Sequence, residues 1–589
     1  MKGYRHTIIF FLAAMLFLSP RTATADNPHL REAAELKRLL AVEAPQYTAA
    51  PDAATDRLWS PVVRFYRLIG YRTLWMDTDG LTRQGEGLLK VISSASENGL
   101  APEAYFPPPL ENPGSLPMGL DESFGAMPPS PAVQMDMMLT DALLRYAADL
   151  ARGRIAPQSL HMPWVSDQQL PDRDFPAELA AAFNANRLWD FLDDLPPGQP
   201  AYAGLKTALQ QYERIRSRGG WATVDGGPSL RRGDQDPRVP ALRSRLLATA
   251  DIQPYLPEAA EDFDAGVEAG VMRFQYRHGL TPDGVVGEKT LAALNVPVEK
   301  RILQLKLNME RCRWYPDSFG QRYLLVNIPD YTLNIVENDW VIRRIRVIVG
   351  RPGRQTPNLS GHLTYLEINP YWNVPAKIAR KDILPKIKED PDYLVRQGIK
   401  VFDSWDEAAT PIDPESISWE GVSKNYFPYR LRQDPSTLNA LGQVKFIFPN
   451  SQAVYIHDTP SKSLFEKNRR GFSSGCVRLE SPLELARYLL RDQSWDQSRL
   501  EETVESGRHR TVVLKKPIPV HLVYFTAWAD SSGAVNFRQD IYDQDRELEL
   551  ALIQRPAPTL FCRMEKPVGP MLAQCKHSQG TASAALPGI

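Results

Sequence analysis

The sequence predicts a multidomain α+β protein: a helical N-terminal scaffold, a small three-helix module, and a mostly-β domain carrying an inserted capping subdomain. Three observations lead there. The chain has 589 residues, more than a single hydrophobic core normally takes. Apolar residues recur with a helical period through residues 28–220 and again through 236–295, whereas from Arg322 onward the period shortens toward two. Between Pro375 and Leu441 that alternation breaks into charges, prolines and helical stretches, as an insertion placed over a site would. The boundaries that follow are 1–25 for a leader, 26–232 for the helical scaffold and 233–300 for the module. The β domain takes 301–520, with its insertion at about 376–441, and a C-terminal strand and tail fill 521–589.

The leader begins with Lys2 and Arg5, continues with an apolar run from Ile8 to Leu18, and ends in Ala23-Thr24-Ala25. This is the pattern of a secretory signal cut after Ala25. The run falls short of the ~20 apolar residues a spanning helix needs, so export through a cleaved signal is expected rather than anchoring. The 69 basic and 70 acidic side chains leave a net charge of −1, so no overall field draws the protein to nucleic acid. Of the four cysteines, Cys562 and Cys575 lie close together and could bridge in an oxidising compartment. Cys312, in Met309-Glu310-Arg311-Cys312-Arg313-Trp314, reads as a buried small hydrophobe.

In the scaffold, Leu139, Leu143, Leu144, Ala147 and Leu150 share one face of a helix over Gln134–Arg154. Leu88, Leu89 and Ile92 mark another helix, closed by Asn98-Gly99. In the module, Val239, Leu242 and Leu246 give a first helix and Val267, Val271 and Phe274 a second. The turn Gly279-Leu280-Thr281-Pro282-Asp283-Gly284 follows, and Thr290 to Asn295 begins a closing helix. Strands are expected at Tyr323–Ile328, Thr332–Val336, Val341–Val349, Val444–Phe448, Ala453–His457, Thr511–Leu514 and His521–Trp528.

The block that carries chemistry runs Tyr455-Ile456-His457-Asp458 and then Ser473-Ser474-Gly475-Cys476-Val477-Arg478. A lone cysteine in an exported protein is more often paired or buried than catalytic, and a lone histidine more often sits at a surface. Together they supply what thiol chemistry requires. A free thiol ionises near pH ~8.5, so it needs a base or a positive field to act at neutrality. His457 can take the thiol proton and return it to a leaving amine. Gly475 permits a turn that aims the backbone N–H groups of Ser474, Gly475 and Cys476 at one point, as an oxyanion hole needs. Arg478 can bind a carboxylate, although a surface salt bridge fits its spacing equally well. The spacing of His457, Asp458 and Cys476 does not match paired zinc ligands.

This block resembles the signature of the L,D-transpeptidase catalytic domain, in which a histidine is followed by a spacer and then Ser/Thr-His-Gly-Cys-hydrophobic-Arg/Asn. His457, Ser473, Gly475, Cys476, Val477 and Arg478 occupy the matching positions, and Ser474 stands where a histidine is commoner. Asn369-Pro370-Tyr371-Trp372-Asn373-Val374-Pro375 resembles a segment that borders the pocket of that fold. The run from Phe274-Gln275 to Leu294-Asn295 resembles the small three-helix peptidoglycan-binding domain. The architecture is similar to the large multidomain Gram-negative members of the family.

The resemblance implies a cysteine acyltransferase that forms 3→3 diaminopimelate cross-links through a thioester on Cys476. His457 is its base, Arg478 and Ser473 bind substrate, and Tyr455 and Trp372 wall the pocket. Peptidoglycan stem peptides are the implied partner, the periplasm the implied location and a carbapenem adduct on Cys476 an implied product, and no metal or organic cofactor is needed. An L,D-carboxypeptidase or other hydrolase on the same fold shares the first half-reaction. A non-catalytic wall-binding scaffold is the alternative of another class.

Overall fold

The structure, a computed structural model, describes residues 28–41, 53–77, 80–105, 130–161, 164–166, 172–255, 257–406 and 408–554. The leader, Cys562 and Cys575 lie outside the described residues. No helix among the described residues is long and apolar enough to cross a membrane.

The N-terminal region is helical because its apolar spacing and its caps agree. In the helix Pro131–Arg152, Ser130 caps the backbone N–H of Val133, Pro131 opens the first turn, and Gly153 ends the helix at φ 80°. Leu139, Leu143, Ala147 and Leu150, three or four residues apart, enter a core with Phe65 and Tyr66 of the helix Ala53–Leu68.

The module has the three expected helices, Val239–Ala248, Ala265–Arg277 and Glu288–Leu294. Gln275 ties the intervening turn. Its Nε2 donates to Asp283 Oδ1 at 2.7 Å and to the Val285 carbonyl at 2.9 Å, and its Oε1 accepts from Gly284 N at 2.9 Å. Gly284 sits at φ 72°, a conformation in which a Cβ would be strained.

One element joins these parts. The helix Val298–Cys312 packs Ile302, Leu305, Met309 and Cys312 against Tyr202, Leu205 and Leu209 of the helix Pro200–Ser217. Cys312 is fully buried there. Glu310 accepts from Ile155 N at 2.8 Å, and Arg313 donates to the Tyr202 hydroxyl at 2.8 Å, so the scaffold is hydrogen-bonded to the helix end. On the other side, Asn308 donates to Thr526 Oγ1 at 2.8 Å and accepts from Thr526 N at 2.9 Å, which fixes the end of the β domain. Arg277 reaches the same region, donating to the Val535 carbonyl at 2.9 Å.

The β domain is a sheet whose pairings close on themselves. The strands follow the order Val444–Ile447, Ile456–His457, Val477–Leu479, Trp340–Gly350, Thr332–Glu337, Arg322–Asn327, Arg510–Val523 and Asn358–Ile368, and the last pairs back to the first. Closure covers strand edges that would otherwise invite pairing with other chains. Inward side chains such as Val326, Val347, Leu366, Phe446, Ile456 and Val477 are fully buried and form one core.

Two expectations are corrected. The residues expected as one strand at Thr511–Leu514 and the first three of the strand expected at His521–Trp528 form a single strand, Arg510–Val523, while Ala527 and Trp528 belong to a separate strand, Ala527–Ala529, paired with Val535–Phe537. Val520 to Val523 pair in parallel with Leu324 to Asn327, so a boundary at 520 would cut through a central strand. Its register on Asn358–Ile368 shifts between Val513 and Ile518, and an irregularity of that kind masks a period of two. The scaffold also lends the strand Trp164–Ser166, which pairs in parallel with Asn358–Ser360.

The insertion forms its own layer. The strands Trp372–Asn373, Arg430–Gln433 and Ile399–Phe402 make a small antiparallel sheet, packed on a separate core of Val374, Ile387, Leu394, Val401 and Leu431. The β-domain core tests the closed sheet. Phe446→Ala, at a fully buried position, should destabilise this domain by about 3–5 kcal/mol in urea unfolding.

Candidate active site

The site follows from one short parallel pairing. Ile456 lies opposite Val477 and His457 opposite Arg478, which sets Tyr455 beside Cys476. Val477 N accordingly donates to the Tyr455 carbonyl at 3.1 Å. Side chains alternate along a strand. Ile456, Val477 and Leu479 are fully buried in the core, so Tyr455, His457, Cys476 and Arg478 share the opposite face, under the capping subdomain. Cys476 and His457 are diagonal neighbours, roughly 8 Å apart at Cα by standard strand spacing, within reach of a thiol and an imidazole turned toward each other.

Cys476 is a free cysteine at a half-buried position. Burial pushes its thiol pKa up, opposed by hydrogen bonding from the Tyr455 backbone and by the Arg478 and Lys445 charges. The Tyr455 hydroxyl faces the thiol and also takes a hydrogen bond from Trp372 of the cap. The Tyr455 and His457 rings are 5.5 Å apart, edge to face. Lys445 sits 4.7 Å from the centre of the Tyr455 ring and 3.4 Å from Glu367 Oε2.

His457 is buried, and its Nδ1 lies 2.5 Å from the Asp458 backbone carbonyl. A carbonyl only accepts, so Nδ1 carries the proton and Nε2 is left as the basic nitrogen. The sequence leaves open whether Asp458 orients the base by its side chain or its carbonyl; the structure assigns the carbonyl. The Asp458 carboxylate is engaged elsewhere, with Lys462 Nζ at 2.6 Å and Gln443 N at 2.8 Å. Burial lowers the His457 pKa to about 3, helped by the Arg478 and Lys445 charges and opposed by the Asp458 carbonyl. Thiol and imidazole are therefore both neutral at rest near pH 7.

The turn before the thiol behaves differently from expectation at Gly475. Ser473 is buried, its Oγ donates to the Cys476 carbonyl at 2.6 Å, and it accepts from Gly475 N at 3.1 Å. These two bonds close the turn that precedes the thiol. The Gly475 N–H is committed to the second, which removes it from the candidate oxyanion donors. The N–H groups of Ser474 and Cys476 remain. Gly475 itself sits at φ 123°, in the region only glycine enters without strain. Arg478 Nε is buried without a hydrogen-bond partner among the described residues. Leaving a buried donor unmatched costs roughly 1–3 kcal/mol, and more when the group is charged.

Sequence reasoning missed Thr356 and Lys445. Thr356 Oγ1 donates to the Gly475 carbonyl at 2.8 Å, and Lys445 lies opposite His457. Only the pairing of distant segments reveals either one.

Two pH responses follow. A chain that unfolds takes up a proton on His457 near its ordinary value of 6.5, whereas the folded site refuses it until about 3. The stability contributed by neutral His457 is therefore full above pH 6.5 and is lost progressively as pH falls toward 3. His457→Gln should flatten that part of the stability profile, and the His457 ring signals should stay those of a neutral imidazole at pH 4.5 by NMR. The rate of Cys476 alkylation by iodoacetamide should keep rising above pH ~8.5, where an ordinary thiol levels off.

Comparison with known proteins matches three regions of the chain to described families. Residues 60–209 match a family described as a scaffold domain, residues 236–294 a "putative peptidoglycan binding domain", and residues 321–513 the L,D-transpeptidase catalytic domain. A "Putative L,D-transpeptidase" of Haemophilus influenzae (strain ATCC 51907 / DSM 11121 / KW20 / Rd) is 39% identical over 256 residues, covering 43% of this chain and 51% of that protein. The chain thus spans about half the length of that curated relative. Among solved structures, an L,D-transpeptidase from Mycobacterium smegmatis is 12% identical over 34% of this chain and 58% of its own, at a TM-score of 0.17. An L,D-transpeptidase from Xylanimonas cellulosilytica DSM 15894 (residues 123–326) is 17% identical over 51% of this chain and 99% of its own, at a TM-score of 0.16. Those two scores are too low to compare shapes. The protein is therefore a multidomain chain whose β domain matches the L,D-transpeptidase catalytic domain, preceded by regions that match a peptidoglycan-binding domain and a scaffold domain.

Proposed function

We propose that this protein is a peptidoglycan L,D-transpeptidase that forms 3→3 diaminopimelate cross-links through a thioester on Cys476. The observation that carries this reading is the shared sheet face: a free thiol, an imidazole with Nε2 unprotonated, and an arginine with an unpartnered nitrogen, under one cap. Its place of action would be the periplasm, where its substrate lies.

In the first half-reaction, the Cys476 sulfur attacks the carbonyl joining diaminopimelate to the terminal D-alanine of a donor tetrapeptide, while His457 Nε2 takes the thiol proton. The oxyanion forms within reach of the Ser474 and Cys476 N–H groups. As the C–N bond breaks, the imidazolium returns its proton to the leaving amine, and D-alanine departs. In the second, an acceptor diaminopimelate amine attacks the thioester, loses a proton to His457, and releases the thiol as the new amide forms. Arg478 holds a substrate carboxylate, and Tyr455 with Trp372 walls the pocket and shields the thiol from water. The peptidoglycan-binding domain would keep the site near its polymer.

An L,D-carboxypeptidase would use water in the second half-reaction. A wall-binding scaffold would need no chemistry at Cys476. Purified protein with tetrapeptide-bearing muropeptides should release D-alanine and give dimers, with activity unchanged by a chelator. Tripeptides without dimers would establish the carboxypeptidase instead. Cys476→Ala should abolish both products and the mass increase expected after carbapenem treatment; a variant that kept them would return the protein to a binding role. Arg478→Gln should raise KM about tenfold or more, the weight of one charge-assisted hydrogen bond.

A further inference from the structure

Besides Trp372, which meets Tyr455, the capping subdomain reaches the rest of the protein at a second place close to Cys476. Asp382, in the π-helical turn Ala379–Ile383, faces the turn that follows the long strand Trp340–Gly350. Its Oδ1 accepts from Arg354 Nη2 at 2.9 Å and from Arg351 Nη2 at 3.2 Å. Among the described residues, these are the ion pairs that link 376–441 to the remainder of the chain. The Asp382 carboxyl is held below its ordinary pKa even though burial pushes it up, because the Arg354 and Arg351 guanidinium groups outweigh that push.

Arg354 does a second thing. Its Nη1 donates to Ser474 Oγ at 2.8 Å. A single guanidinium, only 9% exposed, thus bridges the cap and the residue two places before the nucleophile. The rest of this turn is already fastened from below. Arg351 N donates to the Ser473 carbonyl at 3.1 Å. Thr356 Oγ1 accepts from Gly350 N at 2.9 Å and donates to the Gly475 carbonyl at 2.8 Å. The Tyr542 hydroxyl donates to the Gly350 carbonyl at 2.6 Å. These bonds hold Ser473 and Gly475. Ser474 is exposed, and its side chain is steadied by Arg354. Without Asp382 the Arg354 guanidinium would be a half-matched charge and would swing toward water, releasing Ser474.

We propose that Arg354 is a positioning residue that couples the cap to the nucleophile turn: when Asp382 is seated, Arg354 holds Ser474, and the Ser474 and Cys476 N–H groups are aligned. The serine at 474 is what allows this, since a short hydroxyl accepts from a guanidinium at hydrogen-bond distance. This rests on the reading of Cys476 as nucleophile. Arg354 acts through the turn and touches no reacting atom.

The test uses the full chain. Asp382→Ala should raise amide hydrogen exchange across residues 471–478 several-fold and leave the strand Arg322–Asn327 unchanged; unaltered exchange at 471–478 would overturn the coupling. Arg354→Ala, Asp382→Ala and Ser474→Ala should each lower kcat for D-alanine release roughly tenfold, the weight of one hydrogen bond to a charged group, with KM held within about twofold. Asp382→Ala should add no further loss in the Ser474→Ala background, and Asp382→Glu should recover most of the rate. Additive losses, or effects confined to KM, would reject the proposal. If exchange rises as expected yet Cys476→Ala still releases D-alanine, the nucleophile assignment fails and the coupling stands.

Discussion

The two-residue parallel pairing of Ile456–His457 with Val477–Leu479 is the constraint on which the site depends. It is short, but its register is pinned by burial. Slipping either strand by one residue would turn Ile456 or Val477 outward and drive the polar His457 ring or the Arg478 charge into an apolar core, at a cost of several kcal/mol for the arginine alone. The core therefore sets which side chains face the substrate. Two fully buried aliphatic residues hold a thiol, an imidazole and a guanidinium in one row on the opposite face.

Electrostatics in that row are tuned by burial more than by pairing. The two cations nearest the thiol, Arg478 and Lys445, favour a thiolate, yet the same charges and the same burial keep His457 neutral. The balance is a neutral thiol beside a neutral imidazole. The base is oriented by a backbone carbonyl, leaving the Asp458 carboxylate to hold Lys462 and the Gln443 amide. Around this row the protein is fastened by side-chain bonds from the helix Val298–Cys312, which reach both the scaffold and the β domain. The cap, with its own core, reaches Tyr455 through Trp372 and Arg354 through Asp382.

Much of the fold was legible from pattern. Helical spacing in the scaffold and the glycine-bearing turn of the module encode their own geometry, since each forms from residues close in sequence. The insertion declared itself by interrupting a period of two. The long strand Arg510–Val523 was harder to read because an irregular register breaks its alternation, and the Trp164–Ser166 strand gives no local sign that it joins a sheet nearly two hundred residues further on.

By itself the sequence determined the reactive groups: a cysteine after a glycine that must turn, a histidine upstream, and an arginine two residues on. These are matters of chemical type and short spacing. Only the tertiary structure decided what each group can do. It turned Ser473 inward and committed the Gly475 N–H to it, gave His457 its tautomer, and brought Arg354 and Asp382 to Ser474. Those outcomes depend on which distant segments share a strand edge, and hydrogen bonds between such segments leave no periodicity for a sequence to display.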